Sequence, residues 1–307
     1  MITKITSNKI TWIDIKNPRD KDVTYLAEKF PFLHKTVLAE IIPPGYRAKV
    51  EKHKDYMFLI LYYPIFNPAH KTTQSREVDI IITKNHIITS HYQTLIPLKK
   101  LFDQINLYKE NKEKYLNGNT VVLLHHLILG MLDSAFSKLY AIEKNIDQIE
   151  NSIFDGKEKQ LVQEISLIKR DVLSFRRILA PQYAVIESLY KEGVNFFGEQ
   201  IVPYMEDTLG DFSRVQNLIE DQKETMQALS ETNDSLLNTK INEIIKLLTI
   251  FSVMVLPLTL LTGVWGMNTE YLPFLHLPVP WDFFSVMGIM LALLGGMLLF
   301  FKKKRWL

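Results

Sequence analysis

The sequence contains no cysteine. That excludes a disulfide framework and any thiolate metal site. An excess of one charge sign is missing too: 36 Lys and Arg face 34 Asp and Glu, a formal net charge of +2. So small an excess leaves no strong nucleic-acid footprint. No Walker-type glycine loop occurs, so no phosphate cradle for nucleotide hydrolysis is visible. Glycine and proline are absent between Asp211 and Leu256, so nothing there interrupts a helix. Charge is absent from 247–267 and again from 283–301. Those two gaps set the class, because an uncharged run of that length is a membrane-span signal.

The second run, 283–301, is almost purely apolar. As a helix it would reach about 28 Å, close to the hydrocarbon thickness of about 30 Å. The first run holds Thr249, Ser252, Pro257, Thr259, Thr262 and Gly263. Hydroxyls and a proline inside a span face protein or water rather than lipid. The sequence therefore predicts a first span that lines something and a second that packs around it. Lys302, Lys303, Lys304 and Arg305 follow the second span, while 268–282 has no Lys or Arg. The positive-inside rule then places the C-terminus and the large N-terminal part in the cytoplasm, with the intervening loop outside. A simple stop-transfer anchor also explains the four bases. Residues 1–14 lack the apolar core and cleavage site of a signal peptide.

Ahead of the spans, β-branched and aromatic residues mark strands at 9–15, 56–66, 78–83 and 86–91, with Lys84-Asn85 as a tight turn. Pro43-Pro44-Gly45 is a breaker, and helical patterns fall at 20–30 and 97–108. These imply an α/β domain with a mixed or antiparallel sheet. From 120 to 190 the pattern predicts two antiparallel helices broken near Phe154-Asp155-Gly156, and then a loop over 193–201. Pro203 suits a first helical turn. Met205, Leu209, Phe212, Val215, Ile219, Met226, Leu229, Leu236, Ile241 and Ile244 follow at mostly three- and four-residue steps. One helix over 203–265, about 90 Å long, is the simplest reading. It needs partner helices to cover its apolar stripe, and identical copies would supply them.

Asn242, Ile245, Leu248, Ser252, Leu256 and Thr259 share one slowly drifting stripe of that helix. In a symmetric bundle they would make polar rings flanking an apolar constriction, a geometry that gates by dewetting. Ordinary helix packing accounts for the same spacing. Gly266-Met267-Asn268 closes the span, which places the mouth of an ion pathway at Asn268. The segment upstream is acidic: Glu206, Asp207, Asp211, Glu220, Asp221, Glu224, Glu231, Asp234 and Glu243 face only Arg214, Lys223 and Lys240. It would concentrate cations, or serve simply as a solvated face. His125-His126 does not read as a chelating pair, because neighbouring helical residues point about 100° apart. His276 is a candidate contact for a softer ion, Asp14 and Asp22 suggest no acid–base pair, and Gly295-Gly296 would allow close helix packing.

Several segments together resemble the CorA family of divalent-cation transporters. They are Asn242-Glu243, Lys246-Leu247-Leu248-Thr249, Leu256-Pro257-Leu258-Thr259, Gly263-Val264-Trp265-Gly266-Met267-Asn268 and the terminal Lys-Lys-Lys-Arg-Trp-Leu. Arg176-Arg177-Ile178-Leu179-Ala180-Pro181 and Tyr204-Met205-Glu206-Asp207 extend the match. The resemblance implies an α+β cytoplasmic domain (an α/β/α sandwich), a long stalk helix and two transmembrane helices, assembled as a funnel-shaped homopentamer in the inner (plasma) membrane. Its parts would be the α/β domain at 1–118, antiparallel helices at 119–201 and the stalk with first span at 202–267. The outer loop at 268–282, the second span at 283–301 and the basic tail at 302–307 would follow.

The implied activity is passive uptake of Mg2+, with Co2+ and Ni2+ also carried. It implies no enzyme and no catalytic cofactor; Mg2+ is cargo and regulator. Gly266, Met267 and Asn268 would form the entrance, with Glu270 raising the local cation concentration. An amide ring suits an ion that sheds water reluctantly, since it can bond to the hydration shell without replacing it. Asp207 matches the acid of the family's cytoplasmic Mg2+ sensor. Its partner is not evident: the expected segment holds Thr94 and Ile96, and Asp103 is the nearest acid. Phe274 stands where a second loop acid is usual, and Trp265 where tyrosine is common. Two alternatives stay open: a zinc transporter of the ZntB type, and a two-span membrane sensor relaying signals through its coiled coil.

Overall fold

The computed structural model describes all residues except Asn8, Pro43, Pro44, Tyr46, 68–71, Asn117, 268–280, Arg305 and Leu307. The chain divides into two compact units, Met1–Glu231 and Thr232–Leu307.

Six strands build the sheet of the first unit: β1 (Ile2–Thr6), β2 (Thr11–Lys16), β3 (Lys49–Lys52), β4 (Met57–Asn67), β5 (Thr72–Ile82) and β6 (His86–His91). Their order is β1-β2-β6-β5-β4-β3. All neighbours are antiparallel except β2 and β6, which run parallel. The mixed sheet expected from the sequence is present. Strands β1 and β3 were not expected; each is short and polar, and each sits at a sheet edge where one face stays wet.

Both faces of the central strands are covered, so β4 is buried almost continuously from Met57 to Tyr63. Helices α1 (Asp20–Lys29) and α2 (Lys35–Glu40) cover one face, where Leu26 and Val37 pack with Ile13, Phe58, Ile60, Ile81 and Ile88. On the other face lie α3 (Ile96–Leu107), α4 (Lys109–Leu116), α5 (Thr120–Ser152) and α6 (Glu158–Leu179). There Trp12 meets Phe102 of α3 edge-on at 4.9 Å, and its indole N–H donates to Thr89 Oγ1 at 3.0 Å. The first unit is thus a three-layer α/β/α sandwich.

The helical region departs from the sequence reading. Three helices, not two, occupy it, because α6 stops before Pro181 and α7 runs Gln182–Phe197. Proline brings no N–H to continue the ladder. The loop expected at 193–201 is mostly helix: α7 continues to Phe197, Gly198 turns at φ +88°, and a 3-10 turn at Glu199–Ile201 leads onward. Gln182 at this corner is fully buried. Its amide oxygen accepts the Tyr62 N–H at 2.7 Å and its amide nitrogen donates to the Tyr62 carbonyl. Tyr62 lies past the end of β3, so the amide supplies the bonds the missing strand would have made.

One carboxyl in the sandwich is conspicuous. Asp79 on β5 is 1% exposed, and no donor reaches either of its oxygens among the described residues. Burial first, and the neighbouring Glu77 carboxylate second, push its pKa up to about 9. The folded protein therefore keeps a proton that the unfolded chain gives up near pH 4. The stability this proton protects is complete at low pH and is lost as pH rises through about 9. Thermal melts at pH 7 and pH 10 should show a steep alkaline loss in the wild type. Asp79→Asn, which cannot ionise, should flatten that loss.

Helix α8 runs Val202–Trp265 without a break, and α9 runs Trp281–Lys303. In the first unit the stripe of α8 is buried at Met205, Phe212, Val215, Ile219, Met226 and Leu229. In the second unit the pattern reverses: Ile241, Ile244 and Leu247 are exposed. Among the described residues, three helices are long and apolar enough to span a membrane. One is α5, but most of its apolar window is buried in the first unit, so it is a core helix. The windows on α8 and α9 are 6% and 0% buried, as lipid-facing or partner-facing helices must be in a single chain.

Candidate ion pathway and regulatory acid

On the second unit, Asn242, Ile245, Leu248, Ser252, Leu256 and Thr259 are all exposed on α8. Leu247 and Phe251 beside them are exposed as well. Exposure does not single the stripe out, but its two hydroxyls have a defined direction. Ser252 Oγ donates to the Leu248 carbonyl at 2.9 Å, and Thr259 Oγ1 to the Val255 carbonyl at 2.9 Å. Thr249 and Thr262 donate in the same way to Ile245 and Thr259. A hydroxyl has one proton and two lone pairs. With the proton committed to its own helix, each of these oxygens presents only acceptors outward. That polarity suits a cation or the water it carries. Pro257 adds to it, because it brings no N–H to the Val253 carbonyl one turn back.

At the end of α8 the Gly266 N–H donates to the Thr262 carbonyl at 2.8 Å, and Met267 N–H to that of Val264 at 3.3 Å. A Cβ on Gly266 would stand 2.9 Å from the Thr262 oxygen, too close for any larger residue without a shift. Asn268, Glu270 and His276 lie outside the described residues. On α9 a Cβ added to Gly295 or Gly296 would meet nothing within 4 Å.

The acid singled out for regulation, Asp207, belongs to the first unit and is exposed. Its Oδ2 lies 3.4 Å from Nε2 of His125, a buried side chain of α5. His125 Nδ1 lies 2.9 Å from Thr208 Oγ1, which itself donates to the Tyr204 carbonyl at 2.8 Å. Burial, then the neighbouring His126, lower the His125 pKa; Asp207 opposes them. One turn along α8, Asp211 is pushed above the usual carboxylate range by burial first and by Asp207 second. The sequence reading missed His125 as a neighbour of Asp207, since the two are far apart in the chain and only the packing of α5 on α8 joins them. As expected, His125 and His126 do not act together: their rings are nearly perpendicular, and His126 Nδ1 bonds the Val122 carbonyl at 2.7 Å.

Asp103 and Thr94 line a cleft of about 180 Å³ with Asp14 and His91, away from the His125–Asp207 pair. Asp14 is structural there, accepting from Thr89 Oγ1 at 2.5 Å with His91 Nε2 at 3.3 Å. Asp22 accepts the Arg19 N–H at 3.0 Å and so caps α1. Among the described residues no three His, Asp or Glu side chains converge as a metal site.

The model of CorA-like Mg2+ transporter protein matches residues 7–303. The chain belongs to the CorA family. Its sequence is 28% identical to the cobalt/magnesium transport protein CorA of Thermotoga maritima over 302 residues, which is 98% of this chain and 84% of that protein. The complete CorA magnesium transporter from Methanocaldococcus jannaschii shares its fold with a TM-score of 0.83 at 21% identity, covering 99% of this chain and 94% of that one. The cytoplasmic domain of ZntB from Vibrio parahaemolyticus gives 0.61 at 13% identity, covering 76% and 90%. The CorA likeness thus spans both units, while the ZntB likeness spans about three quarters of the chain.

Proposed function

We propose that this CorA-family protein is a passive divalent-cation channel that takes up Mg2+, and also Co2+ and Ni2+, as a homopentamer in the inner membrane. Both termini face the cytoplasm. Five α8 helices surround the pathway and five α9 helices form the outer ring. Asn268, with Gly266 and Met267, receives the hydrated ion at the outer mouth, and Glu270 concentrates cations there. Thr259, Ser252 and Asn242 offer further oxygen rings, while Ile245, Leu248 and Leu256 form the apolar constriction. The observation that carries this reading is the apolar window of α8, 6% buried, with the hydroxyls of Ser252 and Thr259 set along it, in a chain matched by the CorA family over 7–303.

Regulation runs through Asp207. Cytoplasmic Mg2+ held there bridges neighbouring subunits and favours the closed state; its loss restores repulsion among the acids of α8. The test is Mg2+ flux through protein in liposomes with Mg2+ varied on the cytoplasmic face. Wild-type flux should be suppressed by Mg2+ on that face, and Asp207→Ala should remain open at concentrations that close the wild type. Unchanged block in Asp207→Ala would refute the role of Asp207.

A further inference from the structure

Helix α9 ends in a turn that folds back on the helix. The Lys304 N–H still donates to the Phe300 carbonyl at 3.0 Å, but the Trp306 N–H reaches back five residues to the Phe301 carbonyl, also at 3.0 Å. That is the wider of the two bonds of a Schellman cap, which an apolar contact between the same two residues often accompanies. The contact is present: the Trp306 indole stacks on the Phe301 ring, with centroids 5.9 Å apart and planes 19° from parallel. Phe301 is 5% exposed, whereas Leu299 and Phe300 just before it are 70% and 58% exposed. Trp306 keeps 45% of its own surface exposed, so the reversed segment covers one ring and presents another.

Between the two rings in the chain stand Lys302, Lys303 and Lys304, all exposed. Among the described residues no carboxylate pairs with any of them. Successive residues of a helix point about 100° apart, so the three stems fan over about 200° of the helix end. A fan that wide does not close on one small anion; it meets a surface of many. The helix rises only about 3 Å from Lys302 to Lys304, so the three stems leave it at nearly one depth.

We propose that this end of α9 is a collar that docks the headgroups of anionic phospholipids in the inner leaflet. The proposal rests on the reading of α9 as a span with Lys302 on the cytoplasmic side. A free phosphate would use the lysines alone. The indole and the apolar helix behind it are what a lipid adds. Tryptophan settles at headgroup level. Lysine stems run along apolar surface while their ammonium groups reach the interface. The apolar window of α9 is 0% buried, so acyl chains have a face to lie against. Basic residues next to a span attract the anionic lipids of the cytoplasmic leaflet.

The test uses the full-length protein in phosphatidylcholine vesicles carrying spin-labelled phosphatidylglycerol or spin-labelled phosphatidylcholine. The wild type should immobilise the anionic lipid at least about fivefold over the neutral one, the share expected of a single lysine. Added salt should shrink that ratio. The triple variant Lys302→Gln, Lys303→Gln, Lys304→Gln should bring it close to one. All three side chains are exposed, so the variant removes no packing. A ratio unchanged in the triple variant overturns the proposal. So does a ratio lost in inorganic phosphate but kept in chloride of equal ionic strength, which would assign the lysines to a free anion. Phosphatidylglycerol brominated on its acyl chains should quench the wild type more than Trp306→Phe; equal quenching also overturns it. Mg2+ flux is read on the same vesicles. Flux without lipid preference removes the collar and leaves the channel, while lipid preference without flux does the reverse.

Discussion

Replacing Asn268 with alanine is expected to cut Mg2+ uptake into liposomes by more than about tenfold, with the protein still folded and assembled. Magnesium keeps its water, so the entrance must select a hydrated octahedron through hydrogen bonds rather than by stripping it. A hydrogen bond to a charged partner is worth about 1.5–3 kcal/mol, and the loss of one such bond is already a factor of about ten or more. A ring loses one from each subunit at once. Asn268→Asp sharpens the test, because a ring of carboxylates would hold the ion too well to release it. Uptake that survives Asn268→Ala at wild-type rates would remove the entrance from Asn268.

The second large effect is expected at Leu248. Leu248→Asn should leave the pathway conducting at cytoplasmic Mg2+ levels that close the wild type, with residual flux raised at least about tenfold. An apolar constriction blocks ions by shedding water. Each leucine side chain resists wetting by about 1.5–3 kcal/mol, and a symmetric ring multiplies that resistance. Leu248 is exposed in the single chain, so the substitution removes no packing within it. Measuring leak at high cytoplasmic Mg2+ checks this; a variant that closes as tightly as the wild type places the constriction elsewhere.

The parts of the fold legible in the sequence were those with a strong periodic signal. The uninterrupted α8, the apolar β4 and the pair β5–β6 with its tight turn are of that kind. The edge strands β1 and β3 were not legible, because sheet edges carry polar residues and lose the alternation. The break at Pro181 was passed over, as the helical pattern resumes immediately beyond it. Among candidate site residues, the six positions of the α8 stripe were chosen from spacing, and all six are exposed. The direction of its hydroxyl bonds could not be read that way, since it depends on side-chain conformation. His125 had no signal linking it to Asp207, because that contact is purely tertiary. Asp79 reads in sequence as one polar residue in a strand; only burial on both sides makes it a proton store.

The most direct measurement is Mg2+ entry into liposomes carrying only the purified protein, with the membrane potential clamped and no ATP or proton gradient present. A passive pathway predicts influx that grows as the interior is made more negative, by about 2.3 kcal/mol of driving force per charge for each 100 mV. Mg2+ that enters only with an imposed proton gradient, or not at all, would contradict the account.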